Sequence, residues 1–432
     1  MNILFLIIIS VPIIYILNTR RRLDYLLVAV LSTFIYYFPA LIGRLRVSSY
    51  SNETVPIHTS VYFSIIAYIL VLTLFLIITD NYLIKIGNKI VFKKHPSEPL
   101  TLIQNMELNI GMMVVEILGI ILLMYSLKVN SGFSVNFNKM TILAKGNRFT
   151  EYLKYIALFS FVYSFINTGK FIGLCRFFSA ILIGYTFLIG HRSFIFLGII
   201  GITVYYLRKV GYMRLITYIR KHLFAVCLVI VLGLFFLFIK GVFAALITGQ
   251  MDIVMSRLTD PEYYVNTLLT SEANSITYNL QNVCETGMKY SLFQYITGLV
   301  LLIPVVGGKI GTAIGYTAFE TELNLRFNDR LNEGIGLGST FLGEAYSLGG
   351  TIAVVIISAI LLWILVWLNR KYENSTNGLN LTFMSVVLPY LTFYVHRNSA
   401  IFLLVTVRAY LYIFVLVYLI SEVVKICLHI KK

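Results

Sequence analysis

Residues 2–18 read NILFLIIISVPIIYILN, and Thr19 then leads into Arg20-Arg21-Arg22. The run carries no charge and reaches the length a helix needs to cross about 30 Å of hydrocarbon. A cleavable signal peptide places its positive charge before the apolar run, whereas here the charge follows it. The segment therefore reads as an uncleaved first span that enters from outside.

Runs of the same kind recur along the chain. Approximate limits are 2–18, 24–43, 58–80, 102–126, 152–168, 171–190, 193–207, 223–248, 340–368, 379–395 and 399–424, eleven in all. Composition agrees: only 12% of the 432 residues are charged and 58% are apolar, where a soluble domain carries about 25% charge. A mean hydropathy of +0.84 and the lack of low-complexity tracts exclude disorder. The expected fold is an all-α polytopic membrane protein of about eleven transmembrane helices. It divides into helices 1–8 (1–248), one large extracytoplasmic loop (249–339) and helices 9–11 (340–432).

Net charge is +16, and much of it falls where the positive-inside rule puts cytoplasmic connections. Arg20 to Arg22, Lys85 to Lys94, Lys170, Arg208 to Lys221, Arg370 with Lys371, and Lys425 to Lys432 mark that side. The connection 127–151 breaks the pattern with Lys128, Lys139, Lys145 and Arg148. The balance places the N-terminus outside and the C-terminus in the cytoplasm. Basic charge of this kind orients spans and contacts membrane lipids, so no nucleic-acid partner is expected. Cys175, Cys227, Cys284 and Cys427 form no CxxC pair or Cys/His cluster, which argues against a zinc site or a disulfide framework. Cys284 is expected as a free thiol.

The loop 249–339 holds nine Asp/Glu and five Lys/Arg. Its one apolar patch, Phe293 to Val306, contains Pro304 and is short for a crossing, so a re-entrant or interfacial helix is expected. No internal repeat links two halves, which weakens a transporter reading.

Ionisable groups at membrane depth are the default functional suspects. Here they are Glu107, Glu116, Arg176, Lys240, Glu344 and Arg408. Gly-His-Arg-Ser (190–193) and Val-His-Arg-Asn (395–398) each form a turn that delivers a histidine and an arginine to the outer side: His191 with Arg192, and His396 with Arg397. Eleven residues separate Arg397 from Arg408, a spacing that returns to nearly the same helical face. Stacked guanidinium groups suit a diphosphate, because they bind phosphate oxygens bidentately. Arginines at helix ends also bind lipid headgroups and cap carbonyls.

The segment GLGSTFLGEAYSLGG (336–350) is Gly-rich and leads into a helix whose first turns carry Gly343, Glu344 and Tyr346. Small residues let backbone approach a substrate or another helix. A carboxylate there can act as a general base toward a sugar hydroxyl, or sit as an acid favoured by a helix dipole.

This stretch resembles the Gly-rich FLGEAY segment of the Wzy-type O-antigen and capsule oligosaccharide repeat-unit polymerases. The turns at 190–193 and 396–408, and the large loop before the last spans, resemble that family's arrangement too. The resemblance implies a GT-C-like glycosyltransferase of the bacterial inner membrane that joins undecaprenyl-diphosphate-linked oligosaccharide repeat units at the outer face. It implies no cofactor and no metal. The implied partners are the lipid-linked oligosaccharide, a chain-length co-polymerase and a flippase of the same pathway. The site it implies has Arg192, Arg397 and Arg408 on the diphosphate, Glu344 or His396 as the base, and His191, Tyr346 and Gly343 in support. A lipid-linked glycan ligase shares that mechanism, and a flippase is the reading from another class.

Two further signals are set aside. Glu320-Thr321-Glu322 could bind a divalent ion but reads as a solvated loop pair. Gly307-Gly308-Lys309-Ile310-Gly311 lacks the spacing and the hydroxyl of a phosphate loop.

Overall fold

The computed structural model describes residues 2–19, 23–46, 54–87, 102–131, 148–189, 191–208, 249–261, 263–264, 272–304, 306–327 and 338–430, with scattered positions between 217 and 246. Apolar segments in hydrocarbon must satisfy their backbone internally, and helix is the local solution. The chain opens with α1 (Asn2–Thr19), α2 (Tyr25–Tyr36) and the single turn α3 (Pro39–Ile42). A two-stranded hairpin follows, β1 (Arg44–Arg46) antiparallel to β2 (Thr54–Pro56), with Leu45 opposite Val55. Next come α4 (Thr59–Gly87), α5 (Leu102–Ser131), α6 (Arg148–Ile166), α7 (Ile172–Leu188) and α8 (Arg192–Leu207). Shorter helices occupy the large loop: α9 (Met251–Thr259), α10 (Glu272–Thr286), α11 (Leu292–Gly298), a 3-10 turn (Leu299–Leu302), α12 (Gly307–Ala313) and α13 (Phe319–Phe327). The chain closes with α14 (Phe341–Asn374), α15 (Gly378–Thr392), a 3-10 turn (Tyr394–Arg397) and α16 (Ala400–Ile430).

The molecule is mostly helical, and five helices are long and apolar enough to cross a membrane: α1, Thr59–Asp80 of α4, Met106–Lys128 of α5, α14 and Ala400–Leu428 of α16. Helices coincide with the other apolar runs as well, except 223–248, which lies largely outside the described residues. Among these, α2, α7, α8 and α15 are apolar but shorter. The basic stretches Arg20–Arg22 and Lys89–Lys94 lie outside the described residues.

Hydrogen bonds gather the helix ends into two sets. At one end, Asn2 at the start of α1 donates to the Ile42 carbonyl (3.5 Å), and Thr277 of α10 donates to the Tyr36 carbonyl (3.4 Å). The His58 N–H donates to Gln281 Oε1 (3.3 Å), and the Tyr394 hydroxyl donates to Ser193 Oγ (3.4 Å). At the other end, the Tyr25 N–H donates to Asn369 Oδ1 (3.5 Å), Asn109 Nδ2 to the Lys170 carbonyl (2.8 Å) and Asn167 Nδ2 to Thr382 Oγ1 (3.1 Å). Arg208 Nη1 donates there to the Tyr372 carbonyl (3.4 Å). The helices therefore run up and down between a "Glu344 end" and an "Arg370 end".

α14 is two helices joined at a break. Gly350 has φ of 67°, a left-handed conformation that favours glycine. The segment from Thr351 to Asn374 spans about 36 Å by itself at 1.5 Å per residue, enough to cross hydrocarbon. The piece before the break is a short buried helix that carries Glu344.

The long loop folds onto the bundle. α10 is polar on average, yet it buries Ile276, Leu280, Val283 and Cys284. The buried Gln281 of the same helix reaches the hairpin, where its Nε2 donates to the Pro56 carbonyl (3.1 Å). The apolar patch 293–306 forms α11 and a 3-10 turn, then doubles back into α12 at Gly307, where a Cβ would collide with the Val300 carbonyl. Phe293, Ile296 and Val306 stay exposed on this elbow.

Candidate functional site

The Glu344 end brings together two stretches that lie far apart in sequence. Thr340 caps the short helix with its side chain on Gly343 N, and Glu344 follows in the first turn. Glu344 is 2% exposed, and its Oε2 accepts the backbone N–H of Ala400 at 2.7 Å. Ala400 is the first residue of α16. The Gly-rich segment and the turn 394–399 are thus joined by one hydrogen bond at a helix N-terminus, where the free N–H groups favour a carboxyl acceptor.

Glu320 serves the same terminus. Its Oε1 accepts the Ser399 N–H (3.3 Å) and the Ser399 hydroxyl, while Ser399 Oγ accepts the Phe402 N–H (3.3 Å). Two carboxyl groups thus cap consecutive N–H groups of one helix terminus. The expectation of a solvated acidic pair is corrected here, because Glu320 faces α16 and Glu322 pairs with Arg326 at 3.7 Å. Both lie on the helix α13, where residues two apart do not face each other. Among the described residues no group of three or more His, Cys, Asp and Glu side chains is placed to hold a metal ion.

His396 is not on the outer surface. It is fully buried, with Nδ1 3.3 Å from the Tyr37 hydroxyl and Nε2 3.3 Å from Ser32 Oγ. The rings of Tyr36, Tyr37 and Tyr68 surround it at 5.2–5.5 Å. Burial lowers its pKa from the usual 6.5 to about 3, so the imidazole is neutral at ordinary pH. The histidine that the turn was expected to offer to solvent locks α2, α4 and the 394–397 turn together.

The arginines occupy different settings. Arg397 ends the 3-10 turn and α16 starts three residues later, so Arg397 and Arg408 share no continuous helix and the eleven-residue face argument fails. Arg397 forms an ion pair with Glu272 at the start of α10, and its guanidinium lies 5.5 Å from the Tyr394 ring. Arg408 Nη1 donates to the carbonyl of Leu301, at the end of the apolar elbow. Its Nε is buried and has no hydrogen-bond partner among the described residues. Arg192 opens α8, and its side chain lies outside the described residues.

An aromatic belt connects these positions. His191 lies edge-on to Phe194 (5.6 Å), and Phe194 packs on Tyr155 and Tyr390. Tyr390 and Tyr410 share a 2.9 Å hydroxyl contact, and Tyr390 packs on Tyr394. Lys154 of α6 lies over the Tyr155 and Phe194 rings at 5.1 and 5.8 Å. Tyr346 packs with a small cluster of Val283, Met288, Tyr290, Phe319 and Leu323 that seats α13 beside α14. Gly343 has Thr340 Cγ2 where a Cβ would stand, so its small size allows the tight cap.

Lys154 and Glu272 were not expected from sequence, and Glu320 was set aside there as half of a solvated pair. Glu320 had a readable signal, since Ser399 before a long apolar run marks a helix start that attracts acids. The pairing of Glu272 across 125 positions had none.

Fold and site define a mostly helical protein with helices fit to cross a membrane and a cluster of carboxylates, arginines and tyrosines at one end. No family model, no curated protein and no solved structure matches the chain.

Proposed function

We propose that this chain is a polymerase of lipid-linked oligosaccharide repeat units, a glycosyltransferase acting on undecaprenyl-diphosphate-linked glycan at the outer face of the bacterial inner membrane. The observation that carries the reading is the hydrogen bond from Ala400 N–H to Glu344, which draws the FLGEAY stretch against the turn bearing Arg397. On this reading the Glu344 end faces outward.

The chemistry needs three things of these residues. A leaving diphosphate needs cations near the aqueous ends of the helices, and Arg408 and Arg397 stand there with contacts an anion can replace. An acceptor hydroxyl needs a base, and Glu344 is the available carboxylate. His396 has both ring nitrogens within hydrogen-bond distance of Ser32 and Tyr37 and is a positioning residue for the turn. The partly buried Tyr394 ring suits the apolar face of a sugar ring.

The test is glycan length in a deletion strain complemented with this chain or its variants. A strain lacking the chain should retain one repeat unit on its acceptor and lose long chains. Long glycan left on the lipid carrier would indicate a ligase instead. In liposomes holding labelled lipid-linked repeat units, growth of glycan supports the polymerase, and movement of lipid without growth supports a flippase.

A further inference from the structure

The elbow formed by α11, its 3-10 turn and α12 has a neck and a tip. At the neck, Gln294 Nε2 donates to the Gly315 carbonyl (3.0 Å), and the Thr317 N–H donates to Gln294 Oε1 (2.9 Å). The tip lies between the 3-10 turn Leu299–Leu302 and the start of α12 at Gly307. From neck to tip the elbow follows the first turns of α16. A Cβ on Gly298 would meet the Ile401 side chain, and further on the Leu301 carbonyl accepts from Arg408.

Those contacts fix a depth. Arg408 follows Ala400 by eight residues, about 12 Å along the helix at 1.5 Å per residue. An arginine side chain leans back toward its helix N-terminus, yet its reach still leaves Leu301 below the level of Ala400. Between Ala400 and Ile420, Arg408 is the only charged residue, and that stretch spans about 30 Å, the thickness of a hydrocarbon core. The tip therefore descends beside the part of α16 that suits hydrocarbon. Its backbone is closed as lipid requires: the Ile303 N–H donates to the Val300 carbonyl (3.0 Å), the Gly307 N–H donates to the Ile303 carbonyl (3.2 Å), and Pro304 has no N–H to satisfy. Phe293, Ile296, Leu299, Ile303, Val306 and Ile310 are exposed on the elbow, and Phe402, Leu404 and Leu411 are exposed on α16 to either side of the contacts with it. Lys309 is the only charge between 292 and 314 and is exposed. Its stem can lie along apolar surface with the ammonium among headgroups.

We propose that this elbow is re-entrant: it dips into the leaflet on the Glu344 side and lays its exposed face against lipid acyl chains. An elbow lying flat among headgroups would not bring Leu301 to the carbonyl contact with Arg408. Continuity of the face with the exposed side of α16 favours lipid over a second copy of the chain. The inference needs only that α16 crosses the membrane, and it is independent of the function proposed above.

Depth is directly measurable. Cys227→Ser and Cys427→Ser remove the two exposed thiols of the full-length chain. Leu299→Cys, Ile303→Cys or Leu325→Cys then carries a single NBD fluorophore, and each protein is reconstituted in phosphatidylcholine vesicles. Leu325 is exposed on α13 between Glu322 and Arg326 and serves as the aqueous control. Relative to that control, the labels at 299 and 303 should be quenched at least about threefold more by a nitroxide on the lipid acyl chain, and at least about threefold less by iodide in the water. Iodide quenching at 303 equal to the control would overturn the proposal. Stronger quenching at 303 by a headgroup nitroxide than by the acyl-chain nitroxide would replace it with an interfacial elbow. Shielding of 303 from both iodide and the acyl-chain nitroxide would replace lipid with a second copy of the chain.

Discussion

The two ends of the bundle hold their cations in different ways. At the Glu344 end, Arg397 is engaged by the Glu272 carboxylate and Arg408 by the Leu301 carbonyl. At the Arg370 end, Lys371 lies over Trp367, and Arg208 lies 4.8 Å from the Tyr205 ring and 5.2 Å from that of Tyr372. An ion pair or a carbonyl contact can be exchanged for an incoming phosphate at little cost, since the guanidinium keeps its preferred kind of acceptor. The Tyr372 ring cannot be exchanged in that way, because it is buried in the packing. The difference teaches that Arg397, held by a half-exposed acid, is available for exchange, whereas Arg208, held by two rings as well as the Tyr372 carbonyl, is built into the fold.

The largest expected effect tests whether Glu344 is more than a cap. Gln keeps an oxygen acceptor for the Ala400 N–H, so Glu344→Gln should leave the unfolding midpoint nearly unchanged. Polymer formation should fall by about 10²–10⁴ if the carboxylate is a general base. A cap alone predicts activity that follows stability, with about 0.5–2 kcal/mol lost on Glu344→Ala. Wild-type chain length in the Gln variant would remove Glu344 from the chemistry.

Arg397→Lys and Arg408→Lys come next. A lysine retains the charge but loses the planar fork, so each change should reduce polymer formation by about tenfold or more while insertion stays normal. Glu272→Gln sharpens the reading. The Arg397–Glu272 side chains are 35% and 45% exposed, and such a pair contributes about 0–1 kcal/mol. Removing the acid should therefore leave both stability and glycan length near wild type. Equal damage from Glu272→Gln and Arg397→Lys would make the ion pair itself the functional element.

Much of the fold was legible because apolar runs of sufficient length admit one backbone solution in hydrocarbon. Helix ends were less so: α14 looked continuous from 340, yet it breaks at Gly350. The break falls at the Gly-Gly pair, where Gly350 is the residue that turns left-handed. At the site, the pairing of Glu344 with the 394–400 turn was beyond sequence, since it joins residues 56 apart through a backbone N–H. His396 was misread for a related reason. A histidine beside an arginine looks solvent-facing, and only the arrival of Tyr36, Tyr37 and Tyr68 from two other helices buries it.

That burial predicts a pH dependence of stability. The unfolded chain protonates His396 as pH falls through about 6.5, whereas the folded protein resists until about 3. Between those values the unfolded state binds more protons, so the contribution is complete above the upper value and shrinks as pH falls. The slope is up to about 1.4 kcal/mol per pH unit. Unfolding midpoints in detergent should fall from neutral toward mildly acidic pH, and His396→Asn should flatten the trend. An unchanged slope in that variant would mean the imidazole reaches water.

The smallest effect is expected at Arg208, and it tests the Arg370 half of the contrast. Its guanidinium donates to the Tyr372 carbonyl and lies near the Tyr205 and Tyr372 rings. Lysine can keep a donor and a charge at that position, although it stacks less well on a ring face. Arg208→Lys should lower stability by about 0.5–1 kcal/mol, the range for a cation over an aromatic ring. Glycan length should stay at the wild-type value, because the contact weakened is the one to the rings. The measurement is the same chain-length assay used for Arg397→Lys, read beside the unfolding midpoint. A loss of polymer as severe as at Arg397, with the midpoint little changed, would show that the two ends do not divide exchangeable from structural arginine.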